Sequence, residues 1–438
     1  MIELTQLTRY GENNRIEAKR SQGGLPHSLW ETYSSFANTI GGLILLGVSE
    51  TEEKKFRSVP LKDPEALVEE FISILTDPKL IPVNILNRDQ IKIAEADGNR
   101  IIMIEVPAAL ACQKPIYIGS LPFRGTYLRN GEGDYRCSKE EVLTMMNQRF
   151  EQLPDGRPLS TVSLESLKLS SIHQYRDRLE ELYPDSRWNE LDDIEFLLQV
   201  NGVYFCEDGT LHPTNAGLLM FGKAEILSTL FHGYSLIHSH HNHTTELDNC
   251  SDLYFTIEQR LHSRHPEEIA WALTEAVVNA IVHADYRQAP HIHINERKEE
   301  IRISNPGHLR SPDALPSNPV LYQMFHTIQA ATGKRTGLLK IEAIWRQQGF
   351  SDPQLQYIPE DHQVVFRLPV SRRKERKMML TKTVVDLITS HIELSYSELK
   401  KKSRISDHQL QSILNDLTDQ DLICYDPESG KYHLKGYN

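Results

Sequence analysis

The chain has 438 residues, 39% hydrophobic and 25% charged, enough for about two to four domains that each bury a core. Its net charge of −12 excludes a protein that coats nucleic acid indiscriminately, and no apolar run approaches the ~20 residues of a membrane-spanning helix. The first thirty residues hold no apolar leader core, and five scattered cysteines (Cys112, Cys137, Cys206, Cys250, Cys424) form no C-x-x-C pair, so a cytoplasmic protein with reduced thiols and no membrane partner is expected.

Residues 1–150 mix strand-like runs (Gly42–Val48, Ile101–Val106) with helical patterns (Leu29–Ile40, Pro64–Leu75, Lys139–Gln148), which predicts an α+β domain. If Arg15–Arg20 is a strand, Glu17 and Lys19 share one face while Ile16 and Ala18 take the other. A carboxylate and a lysine so placed suit a metal-dependent nuclease, the first holding a hard cation and the second steering phosphate or charging water. A solvated surface ion pair is the plainer reading of the same two residues. Past the Gly41-Gly42 turn, an apolar strand carries Glu50 and Glu52 to its far end.

Glu12-x4-Glu17-x-Lys19, followed by Phe36-Ala37-Asn38-Thr39-x-Gly41-Gly42-x-Ile44-x-x-Gly47-Val48, resembles the Schlafen AlbA-type domain. Phe123–Gly131 is similar to that family's Tyr-x-Arg-x-Gly element, and Ser138-Lys139-Glu140-Glu141 to the start of its closing helix. The resemblance implies a DNA or RNA partner. RNA-cleaving members use two Glu and a later Asp, so Glu12 and Glu17 would be the ligands for Mg²⁺ or Mn²⁺, with Lys19 beside them. Where the family has its Asp, this chain offers Ser49, Glu50 and Glu52. Arg20, Arg124 and Arg129 are the cationic candidates for backbone contact. Binding without cleavage and metal-dependent cleavage both stay open.

Pro154, Gly156 and Pro158 mark a linker at Gln152–Thr161, and the rest of 151–213 reads as a helical connector ending in a hairpin near Gly202–His212. In 214–370, the helix Pro266–His283 places Glu275, Asn279 and His283 on one face. The Asn amide can ligate Mg²⁺ while the Glu orients water, a pair suited to a nucleotide site. Two strands (His291–Asn295, Glu300–Ser304), the turn Asn305-Pro306-Gly307 and a strand His362–Pro369 follow.

The pattern Glu275-Ala276-x-x-Asn279-Ala280-x-x-His283-x-Asp285-Tyr286, then Asn305-Pro306-Gly307, resembles the gyrase/histidine-kinase ATPase superfamily in its RecG-like variant. It implies a Bergerat-type α/β sandwich that binds ATP with Glu275, Asn279, His283, Asn305 and Gly307. Thr336 and Gly337 would meet the phosphates, although Arg335 replaces the first glycine of that segment and Ala284 stands where relatives often carry Arg. A fold retained for dimerisation is the other reading, and a homo-oligomer fits both.

His232, His238, His240, His241 and His243 crowd together. Neutral imidazoles suit zinc, but no Cys lies at ligand spacing, so a polar strand end is expected.

Ten Lys/Arg stand against four acids between Ser371 and Arg404, a local charge of +6. In 371–438 one helix spans Tyr396–Ser403, and Ser406 caps the next with Gln409 three residues on. Leu410, Ile413, Leu414 and Leu417 form that helix's apolar stripe, and two strands flank Pro427–Gly430. The order resembles a winged helix-turn-helix, with Gln409 offered to base edges and Lys400, Lys401, Lys402, Arg404 and Lys431 to phosphates; a protein-docking winged helix is the other reading. An α+β multi-domain regulator whose nucleic-acid contact responds to ATP or oligomerisation is the expectation. The alternatives are an RNA-cleaving antiviral effector and a non-catalytic oligomeric scaffold.

Overall fold

The structure, a computed structural model, describes residues 10–287, 291–309, 315–331, 337–370, 373–420 and 422–435. The first unit contains β1 (Ile16–Lys19), α1 (Ser28–Asn38), β2 (Gly42–Leu46), β3 (Val48–Glu50), β4 (Phe56–Ser58), α2 (Pro64–Leu75), β5 (Ile91–Ala96) and β6 (Asn99–Val106). A short α3 (Pro122–Gly125), β7 (Tyr127–Asn130), β8 (Gly133–Arg136) and α4 (Lys139–Gln152) complete it. Pro64 at the first helical position, with the Asp63 carboxylate accepting from Ala66 N at 3.0 Å, starts α2 where the sequence places it.

The four-stranded sheet runs β1-β2-β6-β5, with β1 parallel to β2 and at the edge. Ile44, Leu46, Ile102 and Ile104 bury one face of it under Leu29, Tyr33 and Phe36 of α1 and Phe71 of α2. The strand expected to run through Val48 breaks at Gly47 (φ +82), so Glu50 ends a separate hairpin strand and Glu52 lies in its turn.

The connector holds α5 (Leu169–Leu182), α6 (Asp193–Gln199), β9 (Val203–Phe205) and β10 (Leu211–Pro213). It grips the first unit: Val142, Met146 and Phe150 of α4 share a buried cluster with Tyr204 and Phe205. Arg149 donates to Cys112 O at 2.7 Å and to Asn201 Oδ1 at 2.5 Å, stacking on Tyr204.

The next unit comprises α7 (Asn215–Phe221), α8 (Ala224–Leu230), β11 (Ser235–His240), β12 (His243–Leu247), α9 (Cys250–Arg264) and α10 (Glu267–His283). Then come β13 (His291–Glu296), β14 (Glu300–Pro306), α11 (Pro319–Thr327), α12 (Gly337–Gln347), β15 (Gln354–Ile358) and β16 (Gln363–Pro369). Its six strands run β12-β11-β13-β14-β16-β15, with only the β11–β13 pair parallel. Alternate residues Leu236, Ile292, Ile294, Ile301, Ile303 and Phe366 pack against the helices in one large core. The last unit, α13 (Arg373–His391), β17 (Glu393–Ser395), α14 (Tyr396–Ser403), α15 (Asp407–Asp419), β18 (Ile423–Asp426) and β19 (Lys431–Leu434), has its own core of Val384, Leu399, Leu410 and Leu414. No helix among the described residues is long and apolar enough to cross a membrane.

The segment expected as a linker is packed. Asp155, 5% exposed, accepts from Val320 N at 3.1 Å and Leu321 N at 3.0 Å, so it satisfies the start of α11 from far away in sequence. Burial pushes its carboxyl up to about 6 despite those hydrogen bonds. A raised folded value means stability that is full below the unfolded value of 3.8 and lost as pH rises through about 6. The loss attributable to Asp155 is about 3 kcal/mol. Asp155→Asn, which keeps one acceptor but cannot ionise, should flatten the decline in melting temperature between pH 4.5 and 7. Parallel pH profiles for the two proteins would refute this.

Candidate functional site

The end of α1 is a clamp built from backbone partners. Asn38, 4% exposed, donates to Ile116 O (2.7 Å) and Tyr127 O (3.1 Å) and accepts from Ile116 N (2.9 Å). Thr39 Oγ1 accepts from Arg129 N at 3.0 Å. Gly41 turns the chain with φ +73, and a Cβ there would lie 2.7 Å from Val106 O, so only glycine fits. The Phe-Ala-Asn-Thr-x-Gly-Gly stretch therefore seats β7 against α1.

That seating carries Arg129 to Glu17. Arg129 Nη2 donates to Glu17 Oε2 at 2.8 Å and Asn13 O at 2.9 Å, while Nη1 donates to Asp134 Oδ1 at 2.9 Å. Lys19 Nζ takes the other Glu17 oxygen, Oε1, at 2.6 Å. Asp134 is held in turn by the hydroxyls of Thr32, at 2.6 Å, and Ser35. Burial opposes the guanidinium charge, but Asp134 and Glu17 more than offset it. Breaking such a buried pair by removing one partner costs about 3–5 kcal/mol, against roughly 0–1 kcal/mol for an exposed pair.

The expected site residues thus separate. Arg129, with a side chain 1% exposed, is structural and cannot meet a phosphate without leaving both carboxylates. Lys19 reaches the surface at 16% exposure, and Arg20 and Arg124 are exposed. Glu12 Oε1 accepts from Ala18 N at 3.2 Å, and Glu50 Oε1 accepts from Glu12 N at 2.9 Å. Burial, then the charges of Glu17 and Glu50, raise the Glu12 carboxyl. Glu52 is exposed in the β3–β4 turn.

A divalent cation needs several free oxygen ligands. Both Glu17 oxygens are occupied by the protein's own cations, and among the described residues no three His, Cys, Asp or Glu are grouped to hold a metal ion. The residues as placed do not fit Mg²⁺ or Mn²⁺ on Glu12 and Glu17. Asp134 was missed from sequence, although Gly131, at φ +60 in the two-residue Gly131-Glu132 turn, sets a hairpin in which Arg129 pairs with Asp134.

In the six-stranded unit the expected nucleotide residues converge along α10. Glu275 is buried and Asn279 half-buried. A Cβ on Gly337 would meet Glu275 Oε1, so glycine there makes room for the carboxylate. At the other end of the helix, Asp285 N donates to Pro306 O at 3.0 Å and Gly307 N to His362 O at 2.9 Å, which brings Asn305–Gly307 beside His283. Asn305 itself is buried, its amide donating to Pro306 O at 3.1 Å. Thr336 lies outside the described residues. A cavity of about 200 Å³ is lined by Glu275 together with Arg178, Glu258, His262 and Trp271; Asn279 and Gly307 are not among its lining residues.

His238 and His240 do share a strand face, and His238 is buried. Its Nε2 lies 2.6 Å from Glu296 Oε1, and Arg260 Nη1 lies 2.6 Å from its Nδ1. Burial alone would raise Glu296, but hydrogen bonds from His238 and His265 and the charge of Arg264 hold it far below the usual carboxylate range. His238 serves an internal charge network.

In the C-terminal unit several expected phosphate contacts already have partners. Lys400 pairs with Asp407, Lys431 with Glu393 at 2.8 Å, and Lys402 Nζ meets His391 Nε2 at 3.1 Å. Lys401 and Arg404 are exposed. Gln409 is half-buried and accepts from Ser406 Oγ at 3.1 Å; Ser406 holds the N-cap position of α15, but its side chain accepts no backbone N–H there, against the capping that its spacing suggested.

Residues 143–237 match a family model described as a domain of unknown function, DUF8451. No curated protein matches the chain. Among solved structures, the DIP2311 protein of Corynebacterium diphtheriae aligns over 96% of this chain and 92% of its own, at 16% identity and a TM-score of 0.42. The N-terminal domain of a protein from Nitrosomonas europaea, described as related to the ATP-dependent DNA helicase RecG, aligns over 31% of this chain and 94% of its own, at 31% identity and a TM-score of 0.25. The model described as Schlafen, AlbA_2 matches residues 12–138, from Glu12 to the cap of α4. Residues 12–138 are therefore a Schlafen AlbA_2 domain.

Proposed function

We propose that the chain is a nucleic-acid-binding protein whose N-terminal domain holds the phosphodiester backbone along the β1 edge, without cutting it. One observation carries this reading. Lys19 is fixed at the surface by Glu17, on an edge strand flanked by exposed Arg15 and Arg20. A positioned ammonium between exposed guanidiniums meets phosphates with little entropy left to lose. The cleavage reading would need Glu17 released from two cations, so binding is favoured.

ATP is the proposed ligand of the six-stranded unit, its Mg²⁺ falling to Asn279 and its phosphates to the start of α12. Glu275 and Asn279 one turn apart on α10, with Gly337 against Glu275 and Gly307 beside His283 further along, support this. The C-terminal unit, with two helices followed by a third and a hairpin, supports a winged-helix reading. Asp407 and Asp416 on α15 sit beside Lys400 and Lys377, so phosphate contact from this unit would fall mainly to exposed Lys401 and Arg404. Regulation by ATP or by pairing of two copies completes the proposal.

Lys19→Ala should weaken oligonucleotide binding and reduce the slope of log affinity against log salt by about one, the signature of a single lost phosphate contact. Fluorescence anisotropy across a salt series reads both, and an unchanged slope would rule Lys19 out as the contact. Mg-ATP should raise the melting temperature of the wild type, and Asn279→Ala should abolish that rise. A wild type that does not respond to millimolar ATP leaves the ATP assignment without support.

A further inference from the structure

The buried oxygens around Arg129 form a recognisable donor set. Glu17 Oε2 and the Asn13 carbonyl accept from Nη2, at 2.8 and 2.9 Å, and Asp134 Oδ1 accepts from Nη1 at 2.9 Å. Two carboxylates and a backbone carbonyl are the hard ligands that a divalent cation takes. Here they converge on a guanidinium instead, stacked 5.1 Å from the Phe36 ring centroid and 1% exposed. Thr32 and Ser35 lock Asp134 from behind.

We propose that Arg129 is the resident cation of this domain, standing where a divalent metal would otherwise sit, and that Asp134 is its positioning residue. The domain then engages a phosphodiester backbone in a metal-independent way. This rests on the nucleic-acid reading above and deepens it. The charge balance supports it. Glu17 and Asp134 already have Arg129 and Lys19 as counter-ions, so a dication entering this donor set must displace the guanidinium.

The proposal separates two quantities that a metallonuclease would couple. Titration of Mn²⁺ alone, followed by thermal melting, reads metal binding. Anisotropy of labelled single-stranded RNA and DNA, in EDTA or Mn²⁺ at fixed ionic strength, reads backbone binding. Wild type should show no Mn²⁺-dependent shift and equal affinity in both buffers. Arg129→Ala vacates the donor set and should gain a Mn²⁺-dependent rise of at least about 2 °C. That rise should vanish in the Arg129→Ala, Asp134→Asn double variant.

Stabilisation of the wild type by Mn²⁺ that disappears in Glu17→Gln would overturn the proposal, as would affinity lost in EDTA. A folded Arg129→Ala protein that ignores Mn²⁺ would overturn the claim that Arg129 occupies a metal's place. Should Arg129→Ala fail to fold, the wild-type and Glu17→Gln titrations still decide the matter. A wild type that binds no oligonucleotide in either buffer sinks the nucleic-acid reading alone, and the Mn²⁺ arms continue to test Arg129.

Discussion

A guanidinium held between two carboxylates in a dry interior is the constraint on which the N-terminal domain depends. Arg129 cannot be solvated where it lies, so Glu17 and Asp134 must be present, ionised and correctly aimed. Each of the three comes from a different strand, β1, β7 and β8. Satisfying one side chain therefore fixes the relative placement of the sheet edge, the β7–β8 hairpin and α1, whose Thr32 and Ser35 complete the chain of hydrogen bonds. Lys19 inherits its position from the same network, which makes the one surface-reaching cation of the cluster a dependent of its buried members.

The same principle recurs at the joints. Helix ends leave orphan donors and acceptors, and here distant residues satisfy them. Asp155 accepts the first amides of α11, and Asn318, just before that helix, donates its side-chain amide to Val282 O and Ala284 O at the end of α10. Arg149 ties α4 to the Cys112 and Asn201 loops. A contiguous path of buried hydrogen bonds thus runs from the His283 end of α10 through α11 to the segment that follows the AlbA_2 domain. The first unit, the connector and the six-stranded unit are joined by desolvated polar contacts rather than by a free tether.

Charge is used locally throughout. The acidic chain spends many of its cations internally: Lys400 and Lys377 on α15 acids, Arg178 on Glu258, Arg264 on Glu296. What remains exposed on the β1 edge is consequently more telling than the total charge, because screening limits each surface charge to about 10 Å of influence. The histidine-rich strand follows the same rule. His238 bridges Arg260 and Glu296, an arrangement that stores charge inside the sheet.

The elements were legible from sequence wherever the signal is local. Asp63-Pro64 starts α2, the apolar stripe of Leu410, Ile413, Leu414 and Leu417 makes α15, and alternation marks β13 and β14. The pairing of Glu17 with Lys19 was legible too, since two residues apart on a strand share a face. What the sequence left open is who stands opposite. Arg129 lies 112 residues from Glu17, and Asp155 lies 165 from Val320. Composition and periodicity carry no information about which distant strands and helix ends become neighbours. That choice is made by packing, and packing turned Arg129 from a surface contact into a buried counter-ion and a predicted linker into a helix cap. Local residue order set most elements and their apolar faces; which charges stay exposed was settled by the packing of distant segments, because burial makes every unpaired ion too costly to leave.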